Sequence, residues 1–132
     1  FEPDERVWNE ERISKNLKDE NNLVLGVIYD EKIVGFLTAQ RGVFRRIRHT
    51  AYIVIGIQKN YCNRKLGTKL FQMLDDWALQ NKIVRLELTV VCENKSALRL
   101  YEKSGFSIEG TKKKTMYVDG KYVDEYMMSK LF

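Results

Sequence analysis

A chain of 132 residues, 44% hydrophobic and 31% charged, has the length of one domain and the composition of a globular protein. No apolar run approaches the ~20 residues that span a bilayer, and no signal-peptide pattern opens the chain, so a cytoplasmic protein without a membrane partner is expected. The net charge of +5 favours anionic ligands without selecting nucleic acid; the single histidine, His49, excludes a histidine-rich metal site, and Cys62 and Cys92 read as free thiols of a reducing compartment, so no metal is expected.

Residues 1–21 read as a helix, with Val7, Trp8, Ile13 and Leu17 in a loose apolar stripe. The chain opens without a methionine, as a fragment or processed chain would. Leu23–Tyr29 and Ile33–Ala39 form a hairpin about Asp30-Glu31-Lys32. Arg41–His49, with Arg41, Arg45, Arg46 and Arg48, reads as a solvated loop. Thr50–Ile57 is nearly all apolar, the pattern of a central strand covered on both faces. In Val84–Val91 the residues Val84, Leu86, Leu88 and Val90 share one face, and Arg85, Glu87 and Thr89 the other. Asn94 is placed to cap a helix over Lys95–Lys103, and Gly105 to stop it. Phe106–Tyr117 and Lys121–Leu131 make a closing hairpin about Asp119-Gly120. The two strand–helix–strand crossovers demand a locally parallel sheet and the hairpins make it mixed. The expected fold is α/β: one domain, a central mixed β-sheet flanked by helices.

Gly56–Ala78 carries the first functional signal. An apolar strand ends, a short basic loop follows, and from Leu66 apolar residues recur in steps of four: Leu66, Leu70, Leu74, Ala78. A loop feeding a helix N-terminus collects unpaired N–H groups and the positive end of the helix dipole. With Asn63, Arg64, Lys65 and Lys69 beside it, the stretch reads as a phosphate or pyrophosphate cradle, or as a plain strand–helix turn with a basic rim.

The run VCENKSALRLYEKSGFSIEG, Val91 to Gly110, resembles the signature of the GNAT superfamily of acetyl-CoA-dependent N-acetyltransferases. The loop resembles that family's pyrophosphate pattern, Q/R-x-x-G-x-G/A. Cys62 stands where Gln or Arg is usual, Lys65 where the first Gly is usual, and Gly67 matches the last Gly. The tail from Thr111 to Leu131 is similar to the closing hairpin of the bacterial branch acting on small amines, amino acids or protein N-termini, including ribosomal proteins. The resemblance covers the chain from Leu23 onward and implies a GNAT-like acyl-CoA N-acyltransferase fold with its N-terminal element shortened and its first strand missing. A sheet edge left open in that way would invite a homodimer.

The resemblance implies acetyl-CoA as cosubstrate and direct acetyl transfer to a primary amine. The cofactor-binding residues it implies are Ile55, Ile57, Cys62, Asn63, Arg64, Lys65, Leu66, Gly67, Thr68, Asn94 and Tyr101. Tyr101 matches the tyrosine that protonates the departing thiolate. For the base, Glu87 is the candidate, with Tyr52 and His49 as alternatives, because Thr50–Ile57 holds no carboxylate. Asp124 and Glu125 are placed to attract a cationic amine. Lys65 must either accept a backbone conformation that favours glycine, with its ammonium against phosphate, or obstruct the cradle. Two other readings stay open: a non-catalytic CoA-binding or regulatory module of the same fold, and a basic nucleic-acid-binding domain using Arg41–Arg48 and Lys112–Lys114.

Overall fold

Along the chain run the strands Arg12–Lys18 (β1), Asn22–Tyr29 (β2), Lys32–Arg41 (β3) and Thr50–Ile57 (β4). Helix Leu66–Gln80 (α1), strand Arg85–Val91 (β5), helix Lys95–Lys103 (α2) and strands Ser107–Val118 (β6) and Lys121–Leu131 (β7) follow. The computed structural model describes the backbone of residues 12–18, 20–62 and 65–132, and the side chains of 20–62 and 65–132. The strands form a seven-stranded sheet in the order β1-β2-β3-β4-β5-β7-β6. Every neighbouring pair is antiparallel except β4 with β5, which is parallel, so the sheet is mixed as expected.

Both hairpins close as their turn residues dictate. Asp30 and Glu31 have φ of 51 and 64, and Asp119 and Gly120 have φ of 50 and 79. Two consecutive positive φ values give the twist that two-residue hairpins need. Alternation then sorts the strands. Leu25 of β2, Leu37 of β3, Ile53 of β4, Leu86 and Leu88 of β5 and Met128 of β7 are buried. Helix α1 buries Leu66, Leu70, Phe71, Leu74, Trp77 and Ala78 in the same core, and α2 buries Leu98 and Tyr101 there. The rings of Phe71, Tyr101 and Phe106 meet at 5.4 to 6.4 Å, which joins the two helices on one face of the sheet.

Three expectations need correction. The helix expected over residues 1–21 is a strand at Arg12–Lys18, paired antiparallel with β2 through a bulge between Lys15 and Leu17. Ile13 and Leu17 are four apart, a spacing that suits a helix, yet the open edge of β2 supplies a ladder that outweighs that local signal. Val7 and Trp8 lie outside the described residues. Consequently the sheet edge beside β2 is filled by β1, and the strand expected to be missing there is present. Finally, β4 is covered on one face only: Ala51 and Ile53 are buried, whereas Tyr52 and Val54 are 43% and 47% exposed.

The basic loop before β4 is exposed at Arg45 and Arg46 but anchored at Arg41. The Arg41 guanidinium donates to the carbonyls of Arg48, Glu20 and Asn81. It ties the end of β3 to the loop and to the C-terminal end of α1. That anchoring fixes α1 along the sheet and so fixes where its N-terminus opens.

Candidate functional site: a cleft where two parallel strands part

β4 pairs with β5 only from Thr50↔Arg85 to Tyr52↔Glu87. Beyond that point β4 stays with β3 as far as Gly35↔Ile57, and β5 stays with β7 as far as Val91↔Glu125. Each strand follows its outer neighbour, and the sheet's twist carries the two apart. The backbone of Ile53–Ile57 that faces β5 therefore has no strand partner among the described residues. One side-chain bond spans the start of the gap, Tyr52 Oη to Thr89 Oγ1 at 2.9 Å.

On the helix side the gap widens into a cleft of about 540 Å³, a size typical of sites for small molecules and cofactors. It is lined by Ile55, Gly56 and Ile57 of β4, by Cys62, Lys65, Gly67 and Thr68 of the loop and first turn of α1, and by Asn94 and Tyr101. These are eight of the sequence-expected cofactor residues plus Gly56. Leu66 is fully buried in the core and does not line the cleft. Asn63 and Arg64 lie outside the described residues.

Lys65 is the N-cap of α1 at φ 60 and ψ 19, the left-handed region. Lysine thus adopts the conformation for which the loop pattern has glycine. It offers no side-chain acceptor to the helix, and the first turn holds no acid. The first amide that bonds back along the helix is that of Lys69, to Lys65 O at 3.2 Å. The amides of Leu66, Gly67 and Thr68 precede it and have no place in the helical ladder. Uncapped amides, a helix dipole and a lysine ammonium around one cleft form a donor set suited to a phosphate-bearing ligand. Gly67 also lets the helices approach, since a Cβ there would stand 2.5 Å from Leu100 Cδ2.

Asn94 caps α2, its Oδ1 accepting the Ala97 N–H at 3.2 Å and the Ser96 hydroxyl at 3.3 Å. Tyr101 lies two turns further along α2, only 7% exposed. Burial pushes its phenol above the ordinary value of 10.0, so at neutral pH it holds its proton and acts as a donor.

Tyr52, Glu87 and Thr89 sit on the opposite face of the sheet, at the start of the same gap. The Glu87 carboxylate accepts from Arg85 Nε at 2.6 Å. Arg85 in turn grips Glu109 with both terminal nitrogens, at 2.9 and 2.5 Å, and Ser129 Oγ donates to Glu109 at 2.7 Å. His49 precedes β4 at its paired end, away from the gap. Asp124 is engaged within the last hairpin: its carboxylate accepts the Lys114 N–H at 2.8 Å and lies 3.4 Å from Lys113 Nζ. That N–H, above all, holds its pKa below the usual carboxylate value. Glu125 pairs with Val91 at the far end of β5.

Sequence reasoning passed over Ser96, Ala97, Arg99, Leu100 and Lys103, which line the cleft from α2. The available signal was the step of four in Lys95, Arg99 and Lys103, a basic stripe along the helix that also bears Tyr101.

Comparison with known proteins agrees with this geometry. The profile of the Acetyltransferase (GNAT) family matches residues 1–106. The chain is 33% identical over 134 residues to the L-amino acid N-acetyltransferase AaaT of Escherichia coli (strain K12), covering 98% of this chain and 78% of that protein. It is similar in structure to an acetyltransferase of the GNAT family from Streptococcus pneumoniae, with a TM-score of 0.81 and 36% identity over 86% of this chain and 69% of the other. The fold is shared with yncA from Salmonella typhimurium, whose structure holds its cofactor acetyl-CoA, at a TM-score of 0.75 and 19% identity over 83% and 64% of the two chains.

Proposed function

The chain belongs to the GNAT family of acetyltransferases and is an acetyl-CoA-dependent N-acetyltransferase; from that premise we propose that its acceptor is the α-amine of a free L-amino acid. The amino-acid acceptor is supported by the 33% identity to a protein named for that activity. The observation that carries the site is the parting of β4 from β5, with Tyr101 on the helix side and Glu87 on the other. One opening through the sheet thus gives the cosubstrate and the amine separate approaches to one point.

Acetyl-CoA supplies an activated acyl group and a thiol leaving group. The residues have the following proposed roles. The first-turn amides of α1 and the Lys65 ammonium hold the pyrophosphate. The unpaired edge of β4 from Ile53 to Ile57 lies along the pantetheine arm and offers N–H groups to the thioester oxygen. Tyr101 donates a hydrogen bond to the leaving sulfur. A thiol has a pKa near 8.5, below that of the buried phenol, so Tyr101 stabilises the thiolate by that bond and keeps its proton. Glu87, directly or through a water, takes the proton of the amine.

Thiol release, measured over L-amino acids, D-amino acids, polyamines and short peptides, tests the acceptor. We expect the highest kcat/KM for an L-amino acid, and a polyamine or peptide exceeding them all would sink that assignment. In the same assay Tyr101→Phe is expected to lower kcat about 100-fold with little change in KM. Glu87→Gln is expected to lower kcat at pH 7 with little change in KM for acetyl-CoA. Full turnover by either variant removes that residue's role.

A single-domain cytoplasmic enzyme completes the proposal. One core cluster supports the first part, and the free thiols of Cys62 and Cys92 suit a reducing compartment. A homodimer has its support in β6, an edge strand with no strand beyond it among the described residues; light scattering reads its mass directly.

A further inference from the structure

The cleft holds more positive charge than the loop and first turn of α1 account for. Lys65, Arg99 and Lys103 all line it, and among the described residues no aspartate or glutamate does. Arg99 and Lys103 are exposed, and neither makes a hydrogen bond or ion pair with another side chain among the described residues. They stand four residues apart on α2, which puts their Cβ atoms roughly 5–6 Å from each other. With Lys95 one turn earlier they form a row of like charges on a short helix, an arrangement that destabilises the helix unless an anion answers it. Of the nearby carboxylates, Asp75 is engaged with Lys130, Glu93 with Lys121, and Glu87 and Glu109 with Arg85, while the exposed Asp76 of α1 and Glu102 of α2 do not line the cleft.

We propose that Arg99 and Lys103 form a subsite for the 3′-phosphate monoester of CoA. The inference rests on the reading that this cleft binds acetyl-CoA. The pyrophosphate is provided for by the amides of Leu66, Gly67 and Thr68 together with Lys65, all on α1 and its loop. The two cations of α2 belong to a different wall, and Leu100, packed against Gly67, lies between the walls. The remaining anion of the cosubstrate is the monoester, which carries about −1.5 to −2 charge at neutral pH. Two long cationic side chains at the open rim suit a dianion that stays partly in water. The forked arginine fixes its orientation, and the lysine adds charge. The subsite makes the enzyme discriminate between CoA and its 3′-dephospho form. It plays no part in acyl transfer itself.

The experiment compares kcat/KM for acetyl-CoA and acetyl-dephospho-CoA. A charge-assisted contact of this kind contributes about tenfold, so the wild-type protein is expected to prefer acetyl-CoA by about ten- to a hundredfold. Arg99→Gln/Lys103→Gln is expected to bring that ratio to within about twofold of unity. Arg99→Lys/Lys103→Arg, which keeps both charges, retains most of the preference. A second measurement needs no variant: adenosine 3′,5′-bisphosphate should inhibit the wild-type protein more strongly than ADP. A wild-type ratio near unity, an undiminished ratio in the Gln variant, or equal inhibition by the two nucleotides overturns the subsite while leaving the acetyltransferase reading intact. Failure of both thioesters to bind overturns that reading and the subsite with it.

Discussion

Lys65 concentrates the tension between backbone and ligand at one residue. A side-chain-bearing residue in the left-handed region costs roughly 1–2 kcal/mol, and glycine at the same φ of 60 would carry no such strain. What lysine adds is an ammonium in the cleft, beside amides that have no partner in the helix. Lys65→Gly separates the two effects. Relief of strain is offset by the looser unfolded chain, which costs about 0.4–1 kcal/mol, so Tm is expected to rise by no more than about 6 °C. Loss of the exposed ammonium is expected to raise KM for acetyl-CoA about tenfold at constant kcat, near the lower bound for a hydrogen bond from a charged group. Calorimetry and steady-state kinetics on the purified variant read both numbers. A fall in KM would mean that the side chain obstructs the cradle instead of serving it.

At the scale of the element, α2 is nine residues long and depends on its cap. Removing the Asn94 side chain costs about 1 kcal/mol, or about 3 °C in Tm for a chain of this size. Asn94 also lines the cleft, so Asn94→Asp divides its roles. An aspartate caps equally well and favours the helix dipole, but it sets a negative charge beside an anionic cosubstrate. We expect Asn94→Ala to lower Tm, and Asn94→Asp to preserve Tm while raising KM for acetyl-CoA. Unchanged kinetics in Asn94→Asp would reduce the residue to a cap. The elements that could be read in advance were those with local chemistry: Asp119-Gly120, Asn94, and the four-residue steps of α1. β1 could not be read, because two apolar residues four apart suit either structure and only the edge of β2 decides between them. The left-handed turn at Lys65 was legible only through the resemblance, which sets Lys65 where the loop pattern has glycine. Nothing local marks a lysine for positive φ; the demand comes from the loop that joins β4 to α1.

Across the whole molecule, the gap between β4 and β5 is a property of register, and register is set by neighbours distant in the chain. The apolar strands and both crossovers are written in their residues, whereas the point where pairing stops, Tyr52↔Glu87, depends on how β7 holds β5. Arg85, Glu109 and Ser129 reinforce that hold. Glu109 is the extra residue of a bulge in β6, between Ile108↔Met128 and Gly110↔Met127. The bulge turns its carboxylate toward the Arg85 guanidinium and the Ser129 hydroxyl, so a single side chain of β6 ties β5 to β7. These contacts, the Arg85 hydrogen bonds foremost, lower the Glu109 pKa to about 2. An unfolded glutamate titrates near 4.3. The folded value is the lower one, so the stabilisation is complete above pH ~4.3 and is lost as pH falls toward about 2. Urea unfolding of the wild type and Glu109→Gln across that range tests the linkage. The midpoint of the wild type should exceed that of the variant at pH 7, the difference should shrink through the window, and the two should converge near its lower end. Loosening β5 from β7 also relaxes the wall of the gap, so kcat of Glu109→Gln at pH 7 should fall by more than its stability explains. A variant with wild-type kcat would show that β4 and β5 are held apart without help from this cluster.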